Sequence, residues 1–405
     1  MNFGSLTSYG VHKFRLCTLL AIVCLLPTAL LNGQATAYFS SAYGLQGSAL
    51  KSHLQSIIDG HTSLSYTPGI WDAHKDLYED PADSSKLILF YSELSFNKSA
   101  QDPGSGSTQY WNREHLWPNS YGIDGDRPAY TDLFHLVPAN KSVNGDRSNK
   151  YFDYANPSDG NYEDPANSLA PTCIEDANSW EPGDNQKGWA ARAMLYMDTR
   201  YSHLTLVDTP PSATPSSSAN RMAQLSVMLE WNRKFPPSPK ELEINQRIYD
   251  DYQGNRNPYI DFPEFADLVW VSGQSWGGWR LAHFSLVELL DPAISGDSAD
   301  PDLDGLTNIV EMSRYSDPRN PDNTKAIDGI VSGNSLLITF QRARDFSNLN
   351  LELVLESSDD FVTWNPVSLS GASITVLNST TESVTVTQVI NQNTPPFYRL
   401  NAMRP

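Results

Sequence analysis

Between Trp111 and Asn149 the chain gathers side chains that could together hydrolyse a phosphodiester. Glu114 stands beside His115. Asp132, Asn140, Asn144, Asp146 and Asn149 follow within a few tens of residues. Such a reaction needs an activated water, neutralised charge on the phosphate and a proton for the leaving oxygen. Histidine is the usual base near neutral pH. A hard divalent ion does the second job and can do the third through its bound water, and it takes oxygen ligands. A Glu-His pair is common by itself, and a lone histidine is more often a structural hydrogen-bonder than a base.

A second constellation lies further on. Asp300, Asp302, Asp304, Asn308 and Glu311 place oxygens at positions 1, 3, 5, 9 and 12 of a twelve-residue loop. Gly305 takes position 6, where the chain must turn, and Leu306 offers its carbonyl at position 7. The spacing resembles calcium-binding Asp/Asn repeats, and it predicts a Ca²⁺ that stiffens a junction between domains.

The elements that would position these groups form a mixed α+β pattern. Leu50, Leu54, Ile57 and Ile58 predict a helix over 48–61, with Gly60 as its stop. Residues 87–91 read as a short buried strand and 188–197 as a buried helix. Residues 209–218 read as a Pro/Ser-rich loop and 221–231 as an amphipathic helix. From about residue 335 the period falls to two. Leu349, Leu351, Leu353 and Leu355 alternate with Asn350, Glu352, Val354 and Glu356. Residues 383–390 and 397–400 add further strands. The expected division is a signal segment (1–37), a catalytic domain (38–290), an Asp-rich linker (291–325) and a small all-β sandwich-like domain (326–405).

The first residues have the pattern of an export signal. Lys13 and Arg15 precede the apolar run 16–31, and Ala35-Thr36-Ala37 is a small-x-small cleavage site. The mature chain is expected to start near Tyr38 and to be secreted, periplasmic or cell-surface, with no membrane partner. Cys173 would then be its sole cysteine, which excludes an intrachain disulfide. The net charge is −19, and residues 108–153 carry five Lys/Arg against six Asp/Glu. No basic footprint is available, so metal must supply part of any attraction to nucleic acid.

The specific signal is a set of ordered blocks. Asn112-Arg113-Glu114-His115-Leu116-Trp117-Pro118-Asn119-Ser120 resembles the active-site strand of the endonuclease I family, within the His-Me finger (ββα-metal) nucleases. Thr131-Asp132-Leu133-Phe134-His135-Leu136-Val137-Pro138-Ala139 and Val143-Asn144-Gly145-Asp146-Arg147-Ser148-Asn149 resemble the approach to its metal-binding helix. A segment around Lys187-Gly188 and the block Tyr252 to Asp261 follow in family order. The resemblance spans about residues 48–270. It implies a ββα-metal core with surrounding helices, and hydrolysis of DNA to 5′-phosphate ends, with RNA left open as a second substrate. It implies His115 as the base and Glu114 with Asn144 as ligands of Mg²⁺ (or Mn²⁺). An arginine should hold the cleaved phosphate. Arg127 is the arginine between His115 and Asn144, Arg147 is its rival, and Arg256 is a further candidate phosphate contact. Phe134 departs from the pattern, since many members have a polar residue there, often histidine, and it reads as packing. A monomer is expected. The rival class is a calcium-stabilised surface binding or adhesion protein with an inactive nuclease-like domain, and the intact Glu114, His115 and Asn144 argue against it. A polysaccharide-active enzyme lacks its pair of carboxylates.

Overall fold

Apolar spacing after Gly47 becomes helix α1 (Gly47–Ile58), whose Leu50, Leu54 and Ile58 are buried. The computed structural model describes residues 33–404, apart from 105–108, 124, 126, 127, 210–219, 223, 322–324, 345, 347 and 390–395. Most of the signal-like segment and of the Pro/Ser-rich stretch, together with Arg127, therefore lies outside the described residues. Residues 33–39 are helical, and Ala35 and Phe39 reach the core.

After α1 come helix α2 (Trp71–Leu77), strand β1 (Asp83–Ile88), strand β2 (Trp111–His115), strand β3 (Leu136–Asn140) and helix α3 (Lys141–Arg147). Helices α4 (Asp184–Arg200), α5 (Leu225–Lys234) and α6 (Pro239–Arg247) follow. Helix α4 is buried along nearly its whole length and forms the axis of this half. Gly188 is required there by close approach. A Cβ on it would fall 2.1 Å from the Phe235 carbonyl oxygen. Arg192, one turn on, is also buried, and its guanidinium is bidentate to Glu241 of α6 at 2.7 and 2.6 Å.

Two local expectations need correction. The helix expected from residue 221 begins at Leu225. Arg221 and Met222 instead pair with Thr205 and Leu206 as short parallel strands, because Val207 donates to the Met222 carbonyl at 2.9 Å. The strand expected over 87–91 leaves its ladder after Ile88. Leu89, Phe90 and Tyr91 stay buried but bend away, and the Phe90 amide donates to Pro138 on β3.

The C-terminal part holds helix α7 (Asn308–Arg314) and strands β4 (Asp328–Ser332), β5 (Ser335–Ala343), β6 (Glu352–Ser358), β7 (Asn365–Pro366), β8 (Ser373–Val376), β9 (Thr381–Val389) and β10 (Phe397–Met403). They form a four-stranded sheet, β4-β5-β9-β8, and a three-stranded sheet, β7-β6-β10. Ile338, Phe340, Leu355, Val384 and Val386 pack between them as a small separate core. The alternating leucines divide. Leu355 joins that small core, whereas Leu349 and Leu351, with Ala343, belong to the large core of the first half. The sandwich is thus docked on the rest of the chain. The Asp-rich segment is packed as well, with Asn308, Glu311 and Met312 buried. No helix among the described residues is long and apolar enough to cross a membrane.

His74 on α2 is fully buried beside Tyr78 and Trp111. Burial lowers its pKa from 6.5 to about 3. The ring is neutral in the folded chain and takes up a proton on unfolding below pH 6.5. Its contribution to stability is therefore complete above that pH and is lost as the pH falls toward 3. The loss is about 1.4 kcal/mol per pH unit for this one proton. His74→Phe is expected to flatten the acid side of the stability–pH curve by up to one proton, as measured by urea unfolding across that range. An unchanged slope would place the acid sensitivity elsewhere.

Candidate active site

Strands β2 and β3 pair antiparallel, from Trp111 opposite Asn140 to His115 opposite Leu136, and α3 begins at the next residue. Two strands therefore feed directly into one helix. Asn140 is used at this joint, where its side chain caps α3 by accepting from the Ser142 amide at 2.8 Å.

Glu114 is buried. Its Oε1 accepts from the Tyr91 hydroxyl at 3.0 Å and lies 3.2 Å from an Arg147 nitrogen. Burial pushes its carboxyl up to about 7, against the opposing pull of Arg147 and Tyr91. A further cation beside it would favour the charged form, so the group is suited to a metal. Asn144 lies on α3, and its Nδ2 donates to Asn112 Oδ1 at 2.8 Å. That bond ties α3 to β2 and commits the amide nitrogen, which leaves Oδ1 as the acceptor. A carboxylate and an amide oxygen together suit a hard divalent ion.

His115 ends β2, nine-tenths buried. Its Nε2 lies 3.0 Å from the Tyr130 carbonyl oxygen. A carbonyl only accepts, so Nε2 carries the proton and Nδ1 holds the free lone pair. Burial, with His135 as the next cause, lowers its pKa to about 3. The imidazole is thus neutral at neutral pH, with the Nδ1 lone pair unprotonated. The Tyr66 and Tyr130 rings flank it at 5.9 and 4.7 Å.

Arg147, the rival to Arg127, lies at the end of α3. It is wholly buried and donates to the His115 and Leu116 carbonyls while pairing with Glu114. It ties α3 to the end of β2. Arg256 is likewise committed, bidentate to Asp261 at 2.8 Å and bonded to Gln246 at 2.7 Å with its side chain buried. Burial, at 3% exposure, sets it away from the surface that a phosphate would approach. Arg127 lies outside the described residues. Asp132 is a buried hub that accepts from the Tyr196 and Tyr201 hydroxyls at 2.8 Å each. Asp146 accepts from Asn167. Phe134 packs on Tyr196, as its apolar character implied, and His135 is held through Nε2 by the Ala129 carbonyl at 2.6 Å.

Two residues escaped notice in the sequence. Tyr91, at the end of an ordinary apolar run, carries the hydroxyl that holds Glu114. Arg113 lies two residues before His115 and so on the same side of β2. Its guanidinium sits 3.4 Å from the Tyr66 ring centre and 4.1 Å from that of Trp71, and it donates to the Tyr66 carbonyl and to the Thr67 hydroxyl. Its place inside the Asn-Arg-Glu-His block was the signal that could have found it.

The family described as Endonuclease I matches residues 46–264, more than half of the chain, and the protein belongs to that family. An extracellular ribonuclease of Bacillus amyloliquefaciens is 44% identical over 246 residues, covering 59% of this chain and 80% of that one. An extracellular ribonuclease of Bacillus subtilis (strain 168) is 40% identical over 240 residues, 58% and 78% of the two chains. A periplasmic deoxyribonuclease of Aeromonas hydrophila is 31% identical over 131 residues, 32% and 47% of the two.

Replacing Arg147 by alanine leaves Glu114 buried without its partner. A stability loss of roughly 3–5 kcal/mol is expected from such a change. Guanidinium unfolding of Arg147→Ala would measure it, and a loss below about 1 kcal/mol would show the clamp to be incidental.

Proposed function

We propose that this chain is an exported, metal-dependent endonuclease that hydrolyses RNA and DNA without sequence preference, leaving 5′-phosphate ends. The observation that carries this reading is the state of His115. Its Nε2–H is fixed on the Tyr130 carbonyl, which leaves Nδ1 as the unprotonated nitrogen of a residue on the strand that carries Glu114, and the helix with Asn144 follows directly from the partner strand. The succession of β2, β3 and α3 has the order of a ββα-metal finger, with its expected residues on the first strand and the helix.

Glu114 and Asn144 would hold Mg²⁺ or Mn²⁺, through the carboxylate oxygen not engaged by Tyr91 and Arg147 and through the amide Oδ1. A divalent ion bound there supplies charge neutralisation at the phosphate and, from its hydration water, a proton for the departing 3′ oxygen. The remaining work falls to the chain. His115 Nδ1 takes the proton of the attacking water. Tyr130 keeps the ring in the right tautomer and stabilises the imidazolium that forms. Arg113, on the same side of β2 as His115, offers a preset cation to a phosphate oxygen at the strand end. None of these steps uses a 2′-hydroxyl, so the chemistry is open to both nucleic acids. Relatives named ribonuclease and deoxyribonuclease support that breadth, and their extracellular or periplasmic names support export.

The test is cleavage of plasmid DNA and of structured RNA side by side, with Mg²⁺ and with chelator. Wild-type protein is expected to cut both and to lose both activities to chelator. His115→Ala is expected to lose about 10²–10⁴-fold, the usual worth of a general base, with its fold unchanged. Arg113→Ala is expected to lose roughly 10²–10³-fold, the typical cost of one charge-stabilising donor. A fully active His115→Ala variant would sink the mechanism, and activity on one polymer alone would narrow the substrate.

A further inference from the structure

The segment between the first half and the sandwich carries an oxygen cage unrelated to the nuclease site. Asp300, Asp302 and Asp304 each present a carboxylate oxygen within 4.8 Å of the others. Backbone amides take one oxygen of each. Asp304 N donates to Asp302 Oδ1, Gly305 N to Asp300 Oδ2 and Leu306 N to Asp304 Oδ1. Asp300 Oδ1 and Asp302 Oδ2 are shut off from solvent, and no hydrogen bond reaches them among the described residues. Three like charges at this spacing repel one another, and closed-off carboxylate oxygens without donors are costly.

An independent observation comes from Asn308, at the start of α7. It is 1% exposed. Its Nδ2 donates to the Ile294 and Gly296 carbonyls at 2.9 and 2.8 Å, which turns the Oδ1 of this ninth loop residue away from them. That buried oxygen also receives no hydrogen bond among the described residues. An acceptor in such a place needs a donor or a cation. Three residues on, Glu311 is fully buried in the first turn of α7. Gly305 has φ of +93°, the left-handed turn that lets one short loop aim successive oxygens inward.

We propose that residues 300–311 bind one calcium ion through Asp300, Asp302, Asp304, the Leu306 carbonyl, Asn308 and Glu311. We further propose that this ion fixes α7 as the joint between the nuclease half and the sandwich. Six positions of oxygen donors alone, set by a flexible loop, fit the high and adaptable coordination of Ca²⁺. Mg²⁺ instead keeps most of its waters in a strict octahedron. The joint is visible on both sides of α7. Arg404, just past β10, is bidentate to Asp297 at 2.9 and 2.7 Å and donates to the Leu349 and Asn350 carbonyls. Trp279 donates to the Ser316 carbonyl at 2.9 Å, just past the C-terminal end of α7.

The experiment is calorimetric titration of CaCl₂ into chelator-stripped full-length protein, with trypsin digestion run in parallel. The joint offers trypsin Arg314, Arg319 and Lys325. Wild-type protein is expected to bind calcium here with Kd of roughly 10⁻⁴–10⁻³ M, the range of extracellular modules. Calcium should slow cleavage at those three residues at least tenfold. The double variant Asp302→Asn/Asp304→Asn should bind one ion fewer and lose the protection. Glu114→Ala, which lacks the proposed nuclease ligand, should keep the ion of the joint. Equal stoichiometry in wild type and double variant overturns the site. So does absence of calcium binding in Glu114→Ala, and that result stands even if the double variant fails to fold. Binding without protection overturns the role as a joint.

Discussion

Arg147 is the interaction on which the site depends. It is buried, and its guanidinium gathers the carbonyls of His115 and Leu116 and the carboxylate of Glu114. One side chain from α3 thereby fixes both the end of β2 and the orientation of its acidic residue. Without a partner, burial would favour the protonated carboxyl, and burial does push Glu114 up to about 7. Arg147 and Tyr91 oppose that drift, and both act on Oε1. On the proposed reading this division matters. A guanidinium that chelated both oxygens would exclude an ion, whereas one that holds a single oxygen leaves the other to serve as a ligand.

The base is fixed by a different device. The loop before β3 supplies two carbonyls, from Tyr130 to His115 and from Ala129 to His135. That loop is held from behind by Asp132. The Tyr196 and Tyr201 hydroxyls reach it from α4 and its end, and Gln253 donates to it while accepting from the Leu133 amide at 2.6 Å. Tyr196, Tyr201 and Gln253, all far downstream, thus brace the loop that sets the tautomer of a histidine they do not touch. The late Tyr252 to Asp261 block is structural, and its function is felt through the loop it immobilises.

What could be read from the sequence follows the range of the interactions involved. The helix over 47–58, the buried helix carrying Gly188 and the alternating C-terminal strands are dictated by local periodicity, and they appear close to where the pattern places them. The ordered blocks single out Glu114, His115 and Asn144, and the structure sets them on one strand and the helix that follows its partner. Errors arose where a long-range contact outweighed local pattern. Arg221 and Met222 carry a helical stripe but pair with a short strand. Leu349 and Leu351 alternate like sandwich residues but fill the larger core. Arg256, in a family block, is a different case: Asp261, five residues on, takes its Nε and one Nη, and Gln246 takes the other Nη. No spacing rule reveals that an arginine is already engaged.

The same accounting bears on the acidic charge of −19. Arg147, Arg192, Arg256 and Arg280 are all buried and each is paired with one carboxylate. Those pairs are neutral as units, so the whole excess of negative charge rests on the remaining groups. A polyanion approaching such a surface is repelled at long range, although salt confines that repulsion to about 8–10 Å. Recognition must then come from cations that act at contact distance. Arg113 meets this condition, since its stacking between Tyr66 and Trp71 presets it beside His115. A divalent ion on Glu114 and Asn144 would supply the rest. On the proposed reading a phosphate would be held at contact distance beside His115, which suits an enzyme that degrades nucleic acid.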